Sequence, residues 1–76
     1  MEVQLRTYSG GLIFVPTLKE AFKIVKETPE IWKISFDVSS DERVRLVRTP
    51  NGWLYEPILL YDWEEKIRQL AKEDSY

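Results

Sequence analysis

In Ile31-Trp32-Lys33-Ile34-Ser35-Phe36-Asp37-Val38 the even positions are all large and apolar, while Lys33, Ser35 and Asp37 are polar. Successive side chains of a strand point to opposite faces, so this period of two specifies a strand buried on one side. Trp32, Ile34, Phe36 and Val38 are expected to face a core. The pattern implies an antiparallel sheet with one covered face. It names no chemistry.

The rest of the chain has to build the layer that covers that face. Val3-Gln4-Leu5-Arg6-Thr7-Tyr8 reads as a first strand, and Ser9-Gly10-Gly11 as a turn whose glycines tolerate positive φ. Leu12-Ile13-Phe14-Val15 follows without alternation. It is expected to be a short strand buried on both faces or a connection sunk into the core. Thr17-Leu18-Lys19-Glu20 is a capping box, and Leu18, Ala21, Phe22 and Val25 continue it as an apolar stripe. Pro29 disfavours helical backbone at Thr28, so this helix should stop near Glu27. After the strand at 31–38, Ser39-Ser40-Asp41 makes a turn and residues 42–49 return as a strand. Thr49-Pro50-Asn51-Gly52 is a bulged hairpin loop with glycine in the left-handed position, and Trp53 to Pro57 runs back. Asp62 caps a second helix near 63–73, with Trp63, Ile67, Leu70 and Ala71 on one face and Glu64 positioned to pair with Arg68. The order β(β)αβββα describes an α+β domain. It has an antiparallel sheet of four to five strands and two helices on one face.

At 76 residues the chain makes a single domain, 1–76. A domain of that size buries only about 60% of its unfolded surface. It contains no cysteine, so neither a disulfide nor a thiolate metal site supplements the core. It contains no histidine, which removes the commonest zinc ligand and the commonest general base. Three tryptophans, four tyrosines and three phenylalanines therefore carry much of the stabilisation. The formal net charge of −2 does not point to a polyanion or membrane partner. No signal-like N-terminus or membrane-length apolar run is present, so a cytoplasmic location is expected.

Sorting strand residues by parity leaves one face without a helix. With Thr49 opposite Trp53, Val47 lies opposite Tyr55 and Arg45 opposite Pro57. Val44, Leu46 and Leu54 then go to the core side. Arg43, Arg45, Val47, Trp53 and Tyr55 go to the open side, beside Lys33 and Ser35, and Arg6 and Tyr8 extend it. The candidate partner-binding residues are Lys33, Arg43, Arg45, Trp53 and Tyr55: two rings among three cations. Trp, Tyr and Arg are enriched at protein-interface hot spots, so a protein partner or a second copy of the chain fits this face. Single-stranded nucleic acid is the alternative, with rings stacking on bases and cations following the backbone. A third reading is purely structural, with cationic stems packing across aromatic rings.

Catalytic and cofactor sites find no support. Asp37-Val38-Ser39-Ser40-Asp41 has oxygen-bearing residues at calcium-loop spacing. Glu42 stands where that loop needs glycine, and Arg48 where it needs glutamate. Gly10-Gly11 lacks the helix or basic anchor of an anion cradle. No nucleophile–base pair can be nominated. A non-enzymatic protein with no cofactor and no metal is expected.

Leu18-Lys19-Glu20-Ala21-Phe22 through Ile31-Trp32-Lys33-Ile34-Ser35-Phe36, then Arg43-Val44-Arg45-Leu46-Val47-Arg48 and Gly52-Trp53, resembles small uncharacterised proteins of marine tailed bacteriophages. The resemblance spans most of the chain and brings no catalytic residues. It implies a compact accessory protein acting in the host cytoplasm by binding a host or viral protein.

Overall fold

A computed structural model of the protein describes residues 2–55, 58–60 and 62–71, with side chains for all of these except 58–60. The elements run β1 (Val3–Thr7), β2 (Leu12–Val15), α1 (Leu18–Glu27), β3 (Ile31–Asp37), β4 (Arg43–Thr49), β5 (Gly52–Tyr55), β6 (Ile58–Leu60) and α2 (Trp63–Leu70). The strands form one antiparallel sheet of six in the order β2-β1-β3-β4-β5-β6. The α+β class and the element order are those expected. The sheet gains one strand because the segment after β5 doubles back as β6 instead of leading straight to the helix. The expected end of the second helix, beyond residue 71, and the pairing of Arg45 with Pro57 lie outside the described residues.

Local chemistry accounts for the helix boundaries. Thr17 sits in extended backbone, and its hydroxyl accepts from the Glu20 amide at 3.2 Å. Asp62 does the same for α2, accepting from the Glu65 amide at 3.3 Å. Each bond satisfies one amide that a helix N-terminus otherwise leaves without a partner. The stripe Leu18, Ala21, Phe22 and Val25 is buried, and α1 ends at Glu27 as Pro29 requires.

Both helices lie on one face of the sheet. Phe22 of α1 meets Trp63 of α2 edge-on at 5.5 Å, and Trp63 meets Trp53 of β5 at 5.6 Å. Beneath them lie Val3, Leu5, Ile34, Phe36, Val44 and Leu46, each 1% exposed or less. The Glu64 carboxylate joins the helices by pairing with Lys26 and lies 4.0 Å from Arg68.

A β-bulge and a hairpin turn one residue shorter than expected exchange the faces of two tryptophans. Between β1 and β3 the register runs Val3–Phe36, Leu5–Ile34 and Arg6–Lys33, then jumps to Thr7–Ile31. Trp32 is the unpaired extra residue of a β-bulge. Ile31 takes the core position, with no exposed surface, and Trp32 turns to the open face. The expected core position of Trp32 is thereby corrected. In the β4–β5 hairpin Thr49 pairs with Gly52, Arg48 with Trp53, and Val47 with Leu54. This is one residue from the expected register, and such a slip moves every following side chain to the other face. Gly52 absorbs the tight connection at φ 132°, where a side chain would be strained. Trp53, expected on the open face, is 5% exposed in the core, and Tyr55 packs against that core as well. Leu54 takes the open position in their place.

Candidate interaction face

The helix-free side of the sheet is built from alternate residues of successive strands. Register places Leu12 and Phe14 of β2 beside Arg6 and Gln4 of β1. Next come Lys33, Ser35 and Asp37 of β3, then Val47, Arg45 and Arg43 of β4, and Leu54 of β5. Phe14 and Leu12 are among the large apolar residues left exposed, at 52% and 41%. The charge of the face contrasts with that of the whole chain. Among the described strand residues, Arg6, Lys33, Arg43 and Arg45 share it with one carboxylate, Asp37.

At its centre is an open groove of about 390 Å³ lined by Trp32, Lys33, Arg43, Arg45, Val47, Leu54 and Tyr55. Trp32 is fixed at one end. Its indole Nε1 donates to the Thr7 carbonyl at 3.0 Å, and its ring stacks on Tyr8 at 6.2 Å and 17°. The Lys33 ammonium lies 6.0 Å from the indole centroid, the outer reach of a cation–π contact. Tyr8 itself is 67% exposed.

The cations differ in what they are free to do. Arg43 is committed to the sheet: it donates to Asp37 Oδ1 at 2.9 Å, Gln4 Oε1 at 2.7 Å and Ser35 Oγ at 3.1 Å. Those bonds tie β1, β3 and β4 together and satisfy the buried Ser35 hydroxyl. Arg45 is exposed and enters no hydrogen bond or ion pair among the described residues. Arg48 belongs to the opposite face. Its guanidinium lies 4.9 Å over Trp53 and donates to the Val25 carbonyl at 3.4 Å, in the last turn of α1.

Of the five residues expected to bind a partner, Lys33, Arg43 and Arg45 are together on this face. Tyr55 packs against the core while contributing to the groove wall, and Trp53 is on the other side of the sheet. The rings that belong to the face are Trp32, Tyr8 and Phe14. Arg6 and Tyr8 were legible from strand parity. Trp32 was concealed by the bulge, whose one sequence mark is apolar Ile31 standing out of alternation. Phe14 and Leu12 were concealed because a run of four apolar residues does not say which face is covered.

No group of three or more potential metal-ligating side chains occurs among the described residues, and no helix there is long and apolar enough to cross a membrane. No protein-family model, curated protein or solved structure matches the chain.

Proposed function

We propose that the protein is a small non-enzymatic interaction module that binds another protein chain through the helix-free face of its sheet. The observation carrying this reading is the groove between Trp32 and Leu54, rimmed by Lys33 and Arg45. A solvated sheet face ordinarily shows polar side chains, whereas this one presents Trp32 in the groove with the exposed Tyr8 ring stacked on it. The fixed indole supplies a rigid apolar contact at low entropic cost, and arginine pairs with carboxylates in a bidentate way. The occupant is therefore an apolar segment carrying acidic residues. In the phage setting implied by the resemblance, it would be a host or viral protein met in the cytoplasm.

Single-stranded nucleic acid is the competing occupant, favoured by the parallel Tyr8–Trp32 pair beside Lys33. The chain's acidic balance weighs against it. Two substitutions test the face without touching the core: Trp32→Ser and Arg45→Glu. Cross-linking through Lys33 in lysate of the native cell, read by mass spectrometry, should give protein cross-links that both variants lose. Unchanged cross-links would overturn the reading. Titration with labelled oligo-dT and oligo-U decides the alternative, because phosphate binding weakens steeply with salt.

A further inference from the structure

The edge of the sheet at β2 has a geometry that fits a second copy of itself. Thr7 N–H donates to the Gly11 carbonyl at 3.0 Å, closing the β1–β2 turn. Antiparallel pairs alternate between hydrogen-bonded and non-bonded, so Leu5–Ile13 and Val3–Val15 are the bonded pairs of this hairpin. Tyr8 N–H, donating across to the Glu30 carbonyl at 3.1 Å, confirms that even-numbered residues of β1 face β3. The backbone N–H and C=O of Leu12 and Phe14 therefore point outward, away from the sheet. Their side chains are also exposed. Pro16, at the next outward position, has no N–H to offer and ends the edge, while the turn at Gly10 limits it on the other side.

We propose that two copies of the protein pair antiparallel through β2, about a two-fold axis at Ile13, with Leu12 of each opposite Phe14 of the other. This register uses all four outward backbone groups of each copy. A register centred on Leu12 reaches into the turn, and one centred on Phe14 sets Leu12 against Pro16. On the helix-free face the pairing puts each exposed Phe14 beside the other copy's Leu12. On the helix side it joins the two half-buried Ile13 side chains. The strand carries no charge to repel its copy, and it lacks the inward charge, internal proline or bulge that commonly protects an edge. The result is a continuous sheet of twelve strands, two copies of six.

The seam runs over three residues, Leu12 to Phe14, about 10 Å at 3.4 Å per residue. That is short of the area of a tight complex, so the dimer is weak and concentration-dependent. It does not depend on what occupies the groove around Trp32.

Sedimentation equilibrium over a wide concentration range should show a monomer–dimer equilibrium. Phe14→Lys should raise the dissociation constant about tenfold or more by placing a charge in the seam. Phe14→Pro deletes an outward N–H that no described residue accepts from, so it should abolish the dimer and, in dilute solution, leave the amide exchange of β1 and β3 intact. If Phe14→Pro fails to fold, Leu12→Lys replaces it. Arg45→Glu, which tests the groove, should leave the dimer unchanged. A monomer at every concentration, or a dimer that survives these β2 variants, would overturn the proposal. So would a dimer lost in Arg45→Glu but kept in Phe14→Lys, which would place the second copy on the sheet face instead.

Discussion

Trp53 lies 4.9 Å from the Arg48 guanidinium and 5.6 Å from the Trp63 ring, with 5% of its surface exposed. Removing so large a buried ring leaves a cavity that a domain of this size cannot close. Trp53→Ala should cost about 3–5 kcal/mol in urea unfolding. Trp32→Ala should cost only about 1–2 kcal/mol. It gives up one hydrogen bond to Thr7 and a half-exposed stack on Tyr8, and it opens no core cavity. The alternation at 31–38 alone predicts the reverse order, so the pair of measurements also decides where the bulge lies. Gly52→Ala should cost roughly 1–2 kcal/mol, because φ of 132° places a Cβ in strain. Parity is legible in a sequence only while the register holds. Ile34, Phe36, Val44 and Leu46 were placed correctly because the β3–β4 pairing is regular. Trp32 was misplaced because a bulge inserts it as an extra residue, and Trp53 because the turn before it holds two residues, Pro50 and Asn51, where a three-residue loop was expected. At Gly52-Trp53-Leu54-Tyr55 three large apolar residues in a row remove the pattern that would fix the face.

The elements themselves were easier to read than their faces, because their ends are set by local chemistry. Thr17 and Asp62 make their cap bonds where the sequence places them, and Pro29 ends α1. Thr17→Ala should lower stability by about 1 kcal/mol, measured by urea denaturation, while Thr17→Asp should retain most of it. Strands β2 and β6 were not legible in the same way. A four-residue apolar run gives no period, and whether it is central or at an edge depends on the order of strands in space. The sequence contains Leu12-Ile13-Phe14-Val15 as a hydrophobic signal, but only the pairing shows β2 at the sheet's edge with Leu12 and Phe14 uncovered. The same limit applied to the candidate site. Lys33 and Arg45 were found by strand parity, whereas the groove they line also takes Trp32 and Leu54, the first placed by the bulge and the second by a hairpin turn one residue shorter than expected.

At the scale of the whole molecule, two helices stabilise one side of a six-stranded sheet and leave the other side and one edge for contact. This asymmetry predicts how the protein opens. Strand β3 is paired on both sides and covered by the core residues Ile34 and Phe36, neither of which has exposed surface. Its amides should exchange only through global unfolding, whose free energy for 76 residues is roughly 4–11 kcal/mol. Among the described strands β2 borders β1 alone, so its amides divide by direction. Ile13 and Val15, facing β1, should be protected. Leu12 and Phe14, facing outward, should exchange near the unprotected rate in dilute solution. Raising the protein concentration should slow Leu12 and Phe14 from that unprotected rate if β2 pairs with a second copy, because the dimer gives those amides acceptors. Unfolding midpoints should rise with concentration for the same reason, since association favours the folded state by mass action. Phe14→Lys should remove both effects and, in dilute solution where the protein is monomeric, leave β3 exchange unchanged. Protection of Leu12 and Phe14 at every concentration would instead mean that another part of the same chain covers the edge.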